Sequence, residues 1–562
     1  MLRYAAASCA LTLLCGAVPA FAQTPAPGPG PSTPIANLRA HVKHVFVIYQ
    51  ENRSFDSYFG TYPGAENLAS QDAQTHGFRQ YDPLGNQWIT PFAISAADTA
   101  DANHARPALI TKMDDGRMDL YVATEEFGLL ARGYSRDDAQ RVGLLTMAHE
   151  DCNTVPFLWK YAHSFALFDH FFQAMTGPST PGNLELVAAQ TGQTQWAKDA
   201  TEQVAPNGNG AGVPVVNDSE PANGPYPGGV KPDDTQYDQK YATVLLTLSG
   251  AQAKNAKNDS DMIREDVAAL ERGGHASVPW GWYQEGYADA KKSGSGYVMH
   301  HNAVQYFGYL RNNPYYWRGV HDLRDLLPAI SAGSLGDRSV IFVKGGSSNP
   351  FGWKPGDKSP YVQLHFAGDD DHPGYADSQL SESLVATVVN AIARSKYWND
   401  SAILLTWDDS EGFYDHVSPP NFERCPDGHP CGDGPRVPAI LISPYAKSTA
   451  IVPDVSDQTS LPRFLATLFD LPPLATLPDE APYMPEGPRD TDPALSDLTG
   501  AFDPARLDGS KAPIPASDAQ IPDDVVTSFP VKMSCSSLGI TPVRLPGGDT
   551  PPAGFSPLLL EH

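Results

Sequence analysis

The chain has 562 residues, 41% of them hydrophobic and 10% aromatic, with a formal net charge of −26. This composition excludes a disordered chain and leaves length for a large core and more than one domain. So acidic a surface repels nucleic acid and anionic lipid, which excludes either as a bulk partner.

Residues 1–22 read as a secretory signal: Arg3, an apolar stretch through residues 11–14, then Ala20-Phe21-Ala22 as a small-x-small cleavage site. That apolar run is too short to span a membrane, and no later run reaches the length needed. The mature protein is therefore expected to be soluble and exported, periplasmic or secreted. Cys9 and Cys15 leave with the signal, and export permits disulfides among the remaining four cysteines. Cys425 and Cys431 flank the turn-rich Pro426-Asp427-Gly428-His429-Pro430 and are expected to pair, leaving Cys152 with Cys535 by subtraction. Four cysteines allow three connectivities, and a thiolate metal site is the alternative.

A flexible Pro/Gly-rich leader follows the signal over residues 23–40. Residues 45–49, Val-Phe-Val-Ile-Tyr, read as a buried strand. A helix is expected around residues 156–161, a short apolar run at 164–168, and a second helix at 184–190. Residues 199–236 are crowded with Gly, Pro, Asn and Asp and read as a long surface insertion. Residues 339–343 read as a strand. Leu380, Leu384, Val385, Val388 and Ile392 recur at helical spacing and predict an amphipathic helix over 379–395. Strands follow at 402–406 and 437–443. This alternation predicts an α/β fold, a mostly parallel central sheet sandwiched by helices. From residue 485 the chain is Pro- and Asp-rich, a wrapping tail or a small C-terminal module.

Two of these strands end in hard oxygen donors: Glu51-Asn52 after the first, Asp408-Asp409 after the strand at 402–406. Parallel strands place their carboxyl ends along one edge, so the four residues are expected to meet at one cation. Between them lies Gly177-Pro178-Ser179-Thr180-Pro181, ahead of a helix. A hydroxyl on such a turn faces free N–H groups and the positive end of the dipole, a setting suited to a phosphoryl group; a simple helix cap is the alternative.

The run Gln50-Glu51-Asn52-Arg53-Ser54-Phe55-Asp56, the Gly177-Pro178-Ser179 turn and Phe413-Tyr414-Asp415-His416-Val417-Ser418-Pro419-Pro420 resemble the bacterial phosphoesterase family over about residues 43–447. That family contains nonspecific phospholipases C and exported acid phosphatases within the alkaline phosphatase-like fold. The resemblance implies a catalytic domain over residues 41–484, one bound metal and a covalent phosphoenzyme. By position it implies Glu51, Asn52, Ser179, Asp408 and Asp409 as metal ligands, with Ser179 as nucleophile. It implies phosphate contact or proton transfer for His104, His301 and His372, and does not separate His301 from His300. Asp415-His416 stays outside the ligand set. Ser rather than Thr at 179 resembles the acid phosphatase branch.

The chain departs from the family pattern in three places. Pro181-Gly182-Asn183 replaces Pro-Asn-Arg, Asp408-Asp409-Ser410-Glu411-Gly412 replaces Asp-Glu-Asn-Gly-Gly, and Met147-Ala148-His149-Glu150 replaces Met-Gly-Tyr-Tyr. An all-oxygen ligand set favours Ca²⁺, Mg²⁺ or Mn²⁺, with Ca²⁺ first; histidine ligation would bring in Zn²⁺. The expected activity is acid phosphatase on monoesters, through a phosphoserine. The alternatives are a phospholipase C acting on lipid diesters, with Trp280, Trp282, Tyr283 and Tyr287 lining a cationic head-group pocket, and a non-catalytic phosphate-binding protein.

Overall fold

The computed structural model describes residues 34–198, 214–231, 238–256, 262–425 and 428–559. The expected signal at 1–22 lies outside these residues, as do 23–33 of the expected leader and 199–213 and 232–236 of the expected insertion. The rest of the leader is not flexible coil but lies in a helix, Pro34–His41, that buries Leu38 in the core.

One eight-stranded sheet organises the molecule. In chain order its strands are β1 (His44–Gln50), β2 (Ala166–Phe168), β3 (Trp280–Gln284), β4 (Val320–Asp322), β5 (Ser339–Lys344), β6 (Ser401–Trp407), β7 (Ala439–Ile442) and β8 (Ala450–Val452). In space they run β8-β2-β7-β6-β1-β5-β3-β4, and β7 alone opposes the rest. The two central strands, β1 and β6, are buried at every residue. Strands covered on both faces read as continuous rather than alternating apolar runs, which is why both were visible in the sequence.

Register does the rest. Gln50 stands opposite Trp407, so Glu51 and Asp408 leave the sheet side by side, with Asp408 N–H donating to the Gln50 carbonyl at 3.1 Å. Tyr49 stands opposite Lys344, the last residue of β5.

Five helices matter below: α1 (Phe55–Phe59), α2 (Pro156–Ser164), α3 (Ser179–Ala188), α4 (Ser378–Ala393) and α5 (Ser460–Phe469). The Asp377 carboxylate caps α4 by accepting from Gln379 and Leu380 N–H, and its predicted apolar stripe is buried. Helix α3 corrects the sequence reading: it begins at Ser179 itself, not near Leu184. Pro181 is tolerated there because the first turn has no intrahelical use for its missing N–H. Gly182 is required because a Cβ there would lie 2.7 Å from the Asp408 carbonyl oxygen and 2.9 Å from Tyr49 Oη.

The described part of the expected surface insertion is also different. Val215 and Val216 are buried, and Asp218 accepts a 2.9 Å hydrogen bond from Thr180 N–H in the first turn of α3. An apolar pair and a capping carboxylate hold this stretch against the N-terminus of α3. The C-terminal region wraps rather than forming its own module: Leu498, Phe502, Ile521 and Ile540 join the main core, and Leu545 joins a second core built around Met118, Tyr121 and Tyr414. Both disulfides form, Cys152–Cys535 and Cys425–Cys431. Among the described residues no helix is long and apolar enough to cross a membrane.

Candidate active site

Four chain segments converge at the carboxyl edge of β1, β5 and β6. After β1 the backbone turns sharply, with Asn52 at a φ of +50°. Asn52 N–H donates to Asp408 Oδ1 at 3.0 Å, and Glu51 N–H to the Asp370 carbonyl at 2.7 Å. Ser179 opens α3 directly opposite. Its Oγ lies 3.1 Å from Glu51 Oε2, 3.3 Å from Asp409 Oδ2 and 3.4 Å from Asn52 Oδ1. All four residues are buried.

A hydroxyl carries one proton and can donate to one of these three oxygens at a time. Three buried acceptors around it therefore form an oxygen cradle of the kind that holds a hard divalent cation. Charge points the same way. Burial and the nearby Asp408 push Glu51 well above the ordinary carboxylate range, and burial, partly opposed by His104, raises Asp409 to about 8. Desolvated carboxylates are costly unless a cation meets them. The donor set fits a metal.

Asp408 is held differently from the other expected ligands. Its Oδ1 accepts from Asn52 and Asp409 N–H, and its Oδ2 lies 3.2 Å from Lys344 Nζ. Lys344, which the sequence reading missed, is buried between Asp408 and Glu51 Oε1 and rests over the Tyr49 ring at 4.4 Å. Burial works against its charge, but Asp408 and Glu51 hold its pKa above the usual lysine value. Its one sequence signal is a lysine closing an otherwise apolar strand.

The histidines divide by place. His301 Nδ1 lies 3.1 Å from Glu51 Oε1, whereas His300 turns away to Glu220 at 3.4 Å. Burial, with the charges of His300 and Lys344, holds His301 well below its usual range. His104 Nε2 lies 3.3 Å from Asn52 Nδ2, and its Nδ1 is 2.9 Å from the Ala102 carbonyl. Burial opposes its charged form, yet Asp409, Asp101 and Asp218 raise it to about 9. The His372 ring meets His104 edge-on at 5.8 Å and stacks on Tyr375. Two adjoining clefts, of about 240 and 270 Å³, open beside His104 and His372 and share Asp101, Ala102 and Arg132.

Two other expectations find structural roles. Asp415 and His416 join Asp56 and Arg436 in a buried ion network that ties α1 to the loop after β6. Trp280, Trp282 and Tyr283 pack against Tyr316, Phe342 and His321 within the core, and the partly buried Tyr287 packs against Trp317 at its border.

Comparison with known proteins gives a match to a model described as Phosphoesterase family over residues 42–472. Curated relatives include a non-hemolytic phospholipase C of Burkholderia pseudomallei, 24% identical over 86% of this chain and 62% of its own. They also include a hemolytic phospholipase C of Pseudomonas aeruginosa, 24% identical over 76% of this chain and 53% of its own. The chain thus spans little more than half the length of these relatives. Among solved structures, a protein in the alkaline phosphatase superfamily from Vibrio parahaemolyticus aligns over 76% of this chain and 66% of that one, with 11% identity and a TM-score of 0.28.

Proposed function

The chain belongs to the phosphoesterase family, and from that premise we propose that it is an exported, metal-dependent phosphatase of acid phosphatase type, hydrolysing phosphate monoesters through a phosphoserine on Ser179. One observation carries this reading: the buried Ser179 hydroxyl, at the N-terminus of α3, ringed by Glu51, Asn52 and Asp409 oxygens at 3.1–3.4 Å. Glu51, Asn52, Ser179, Asp408 and Asp409 would hold one divalent cation, with Ca²⁺ the first choice for an all-oxygen set. When bound, such a cation lowers the pKa of a serine hydroxyl and offsets charge on the phosphoryl oxygens.

The chain's own residues supply the rest. Ser179 Oγ gives its proton to Glu51 Oε2, 3.1 Å away, and attacks phosphorus; the Oγ–P bond forms and the bond from phosphorus to the leaving oxygen breaks. The N-terminal end of α3 and His104 would face the phosphoryl oxygens, where fixed charge lowers the barrier most. His372, whose ring meets His104 at 5.8 Å, would give a proton to the leaving alkoxide and then take one from the water that releases phosphate. His301 flanks Glu51, with Nδ1 3.1 Å from Oε1. Two disulfides accord with export.

A second reading, phospholipase C, is favoured by the names of the relatives. The packing of Trp280, Trp282 and Tyr283 within the core supports the monoester. The deciding experiment compares hydrolysis of p-nitrophenyl phosphate and p-nitrophenylphosphorylcholine by wild type and Ser179→Ala, with and without chelator. Monoester preference lost in the variant is the expected result. Diester preference would move the assignment to phospholipase C, and inactivity on both would return it to a binding protein.

A further inference from the structure

The turn after β6 carries Glu411 where the family run commonly reads Gly, and the backbone there still has the glycine conformation, with φ at +59°. An L-residue is strained in that left-handed region, and such outliers persist where the surroundings over-determine them. Glycine would adopt the turn freely, so the reason for Glu411 lies in its side chain.

That side chain is fully buried and commits both oxygens. Oε2 accepts from Asn52 Nδ2 at 2.6 Å, and Oε1 accepts from Ala102 N–H at 2.7 Å. Oε2 also lies 3.4 Å from His104 Nδ1. The consequence for Asn52 is directional. An amide has a donor end and an acceptor end, and Glu411 accepts from the first, which leaves Oδ1 turned toward Ser179 Oγ at 3.4 Å. The bond to Ala102 N–H pins the loop from which His104 reaches the same site. We infer that Glu411 is a positioning residue that fixes the Asn52 amide and the His104 loop relative to Ser179, a role resting on the phosphatase reading above. It touches neither Ser179 nor the phosphoryl group; it acts through the two residues that do.

The competing role is ligation. His104, His372 and Glu411 present potential ligand atoms that all lie within 4.8 Å of one another. The positioning role differs in what a glycine does. Glu411→Gly relieves the turn but empties a buried site and leaves Asn52 Nδ2 and Ala102 N–H without their acceptor, so its thermal midpoint should fall while the metal stoichiometry at saturating cation is kept. It should lower kcat/KM on p-nitrophenyl phosphate roughly 10- to 100-fold, the usual range for residues that orient ligands. Orthovanadate, which adopts the five-coordinate geometry of the transition state, should lose more affinity than inorganic phosphate. Glu411→Gln keeps one acceptor oxygen and should fall between wild type and Glu411→Gly.

Three results would overturn the inference. One is a Glu411→Gly variant within about threefold of wild type in both kcat/KM and vanadate affinity, well below the range for such supports. Another is a loss that weakens inorganic phosphate and orthovanadate equally at a temperature well below the variant's midpoint, which would make the role merely structural. The third is loss of a metal equivalent at saturating cation, which would make Glu411 a ligand. If wild type prefers the choline diester, the phosphatase reading fails and the same comparison on that diester still decides the role of Glu411.

Discussion

The contact at Gly182 offers a quantitative test of how tightly α3 must sit on the site. A methyl group at position 182 would meet the Asp408 carbonyl oxygen at 2.7 Å, whereas ordinary contact begins at 3.4 Å. Gly182→Ala must therefore push the first turns of α3 back by about 0.7 Å, and Ser179, three residues earlier, moves with it. Misplacement of about 1 Å at a reacting group lowers rate roughly 100-fold, so a loss of roughly 30- to 100-fold in kcat is expected. Stability should change little: overpacking removes about 1–3 kcal/mol, while replacing a helical glycine with alanine returns about 1 kcal/mol. The assay is p-nitrophenyl phosphate turnover beside a thermal melt. Turnover within about fivefold of wild type would show that a sub-ångström shift is tolerated and would refute the reasoning.

Lys344→Met leaves Glu51 and Asp408 buried without their cation, so in chelator the variant should unfold about 3–5 kcal/mol more easily than wild type; an identical denaturation midpoint would contradict this. Asp408→Asn should lower metal content and turnover together, by roughly 10- to 100-fold in metal affinity; unchanged metal titration would remove Asp408 from the ligand set. His416 is raised from 6.5 to about 9, burial opposing and Asp56 and Glu66 prevailing. A raised pKa stabilises the fold fully below pH 6.5 and is lost as pH climbs through 9, so wild type should lose about 3 kcal/mol across that window. His416→Gln should be less stable at pH 6 but flat over the same range; an equally steep decline in the variant would assign the effect elsewhere.

The strands that frame the site were legible because central parallel strands are apolar throughout, and Glu51 and Asp408 stood out at their ends. Lys344 was hidden by the same logic. A lysine after an apolar run reads as a solvated strand end, and only the register of β5 against β1 turns it inward. Helix α3 began five residues earlier than expected because Pro181 and Gly182 look like breakers, although a first turn accommodates the one and the contact with Asp408 demands the other. Composition also misled at 214–218, where Gly, Asn and Pro neighbours masked two buried valines and the Asp218 cap. The pairing of Cys152 with Cys535 followed from subtraction, because no local spacing connects residues so far apart.

That pairing joins positions 383 residues apart in sequence. The segment it encloses carries Ser179, His301, His372, Asp408 and Asp409, while Glu51, Asn52 and His104 precede it. A protease that cuts once anywhere between the two cysteines therefore releases nothing: both halves stay covalently joined, and the first core strand and the wrapping tail stay on the same molecule. On a gel, such a nicked protein would run as one band without reductant and as two with it. Tolerance of cleavage is in this way written into the covalent topology of the chain, independent of how firmly its cores pack.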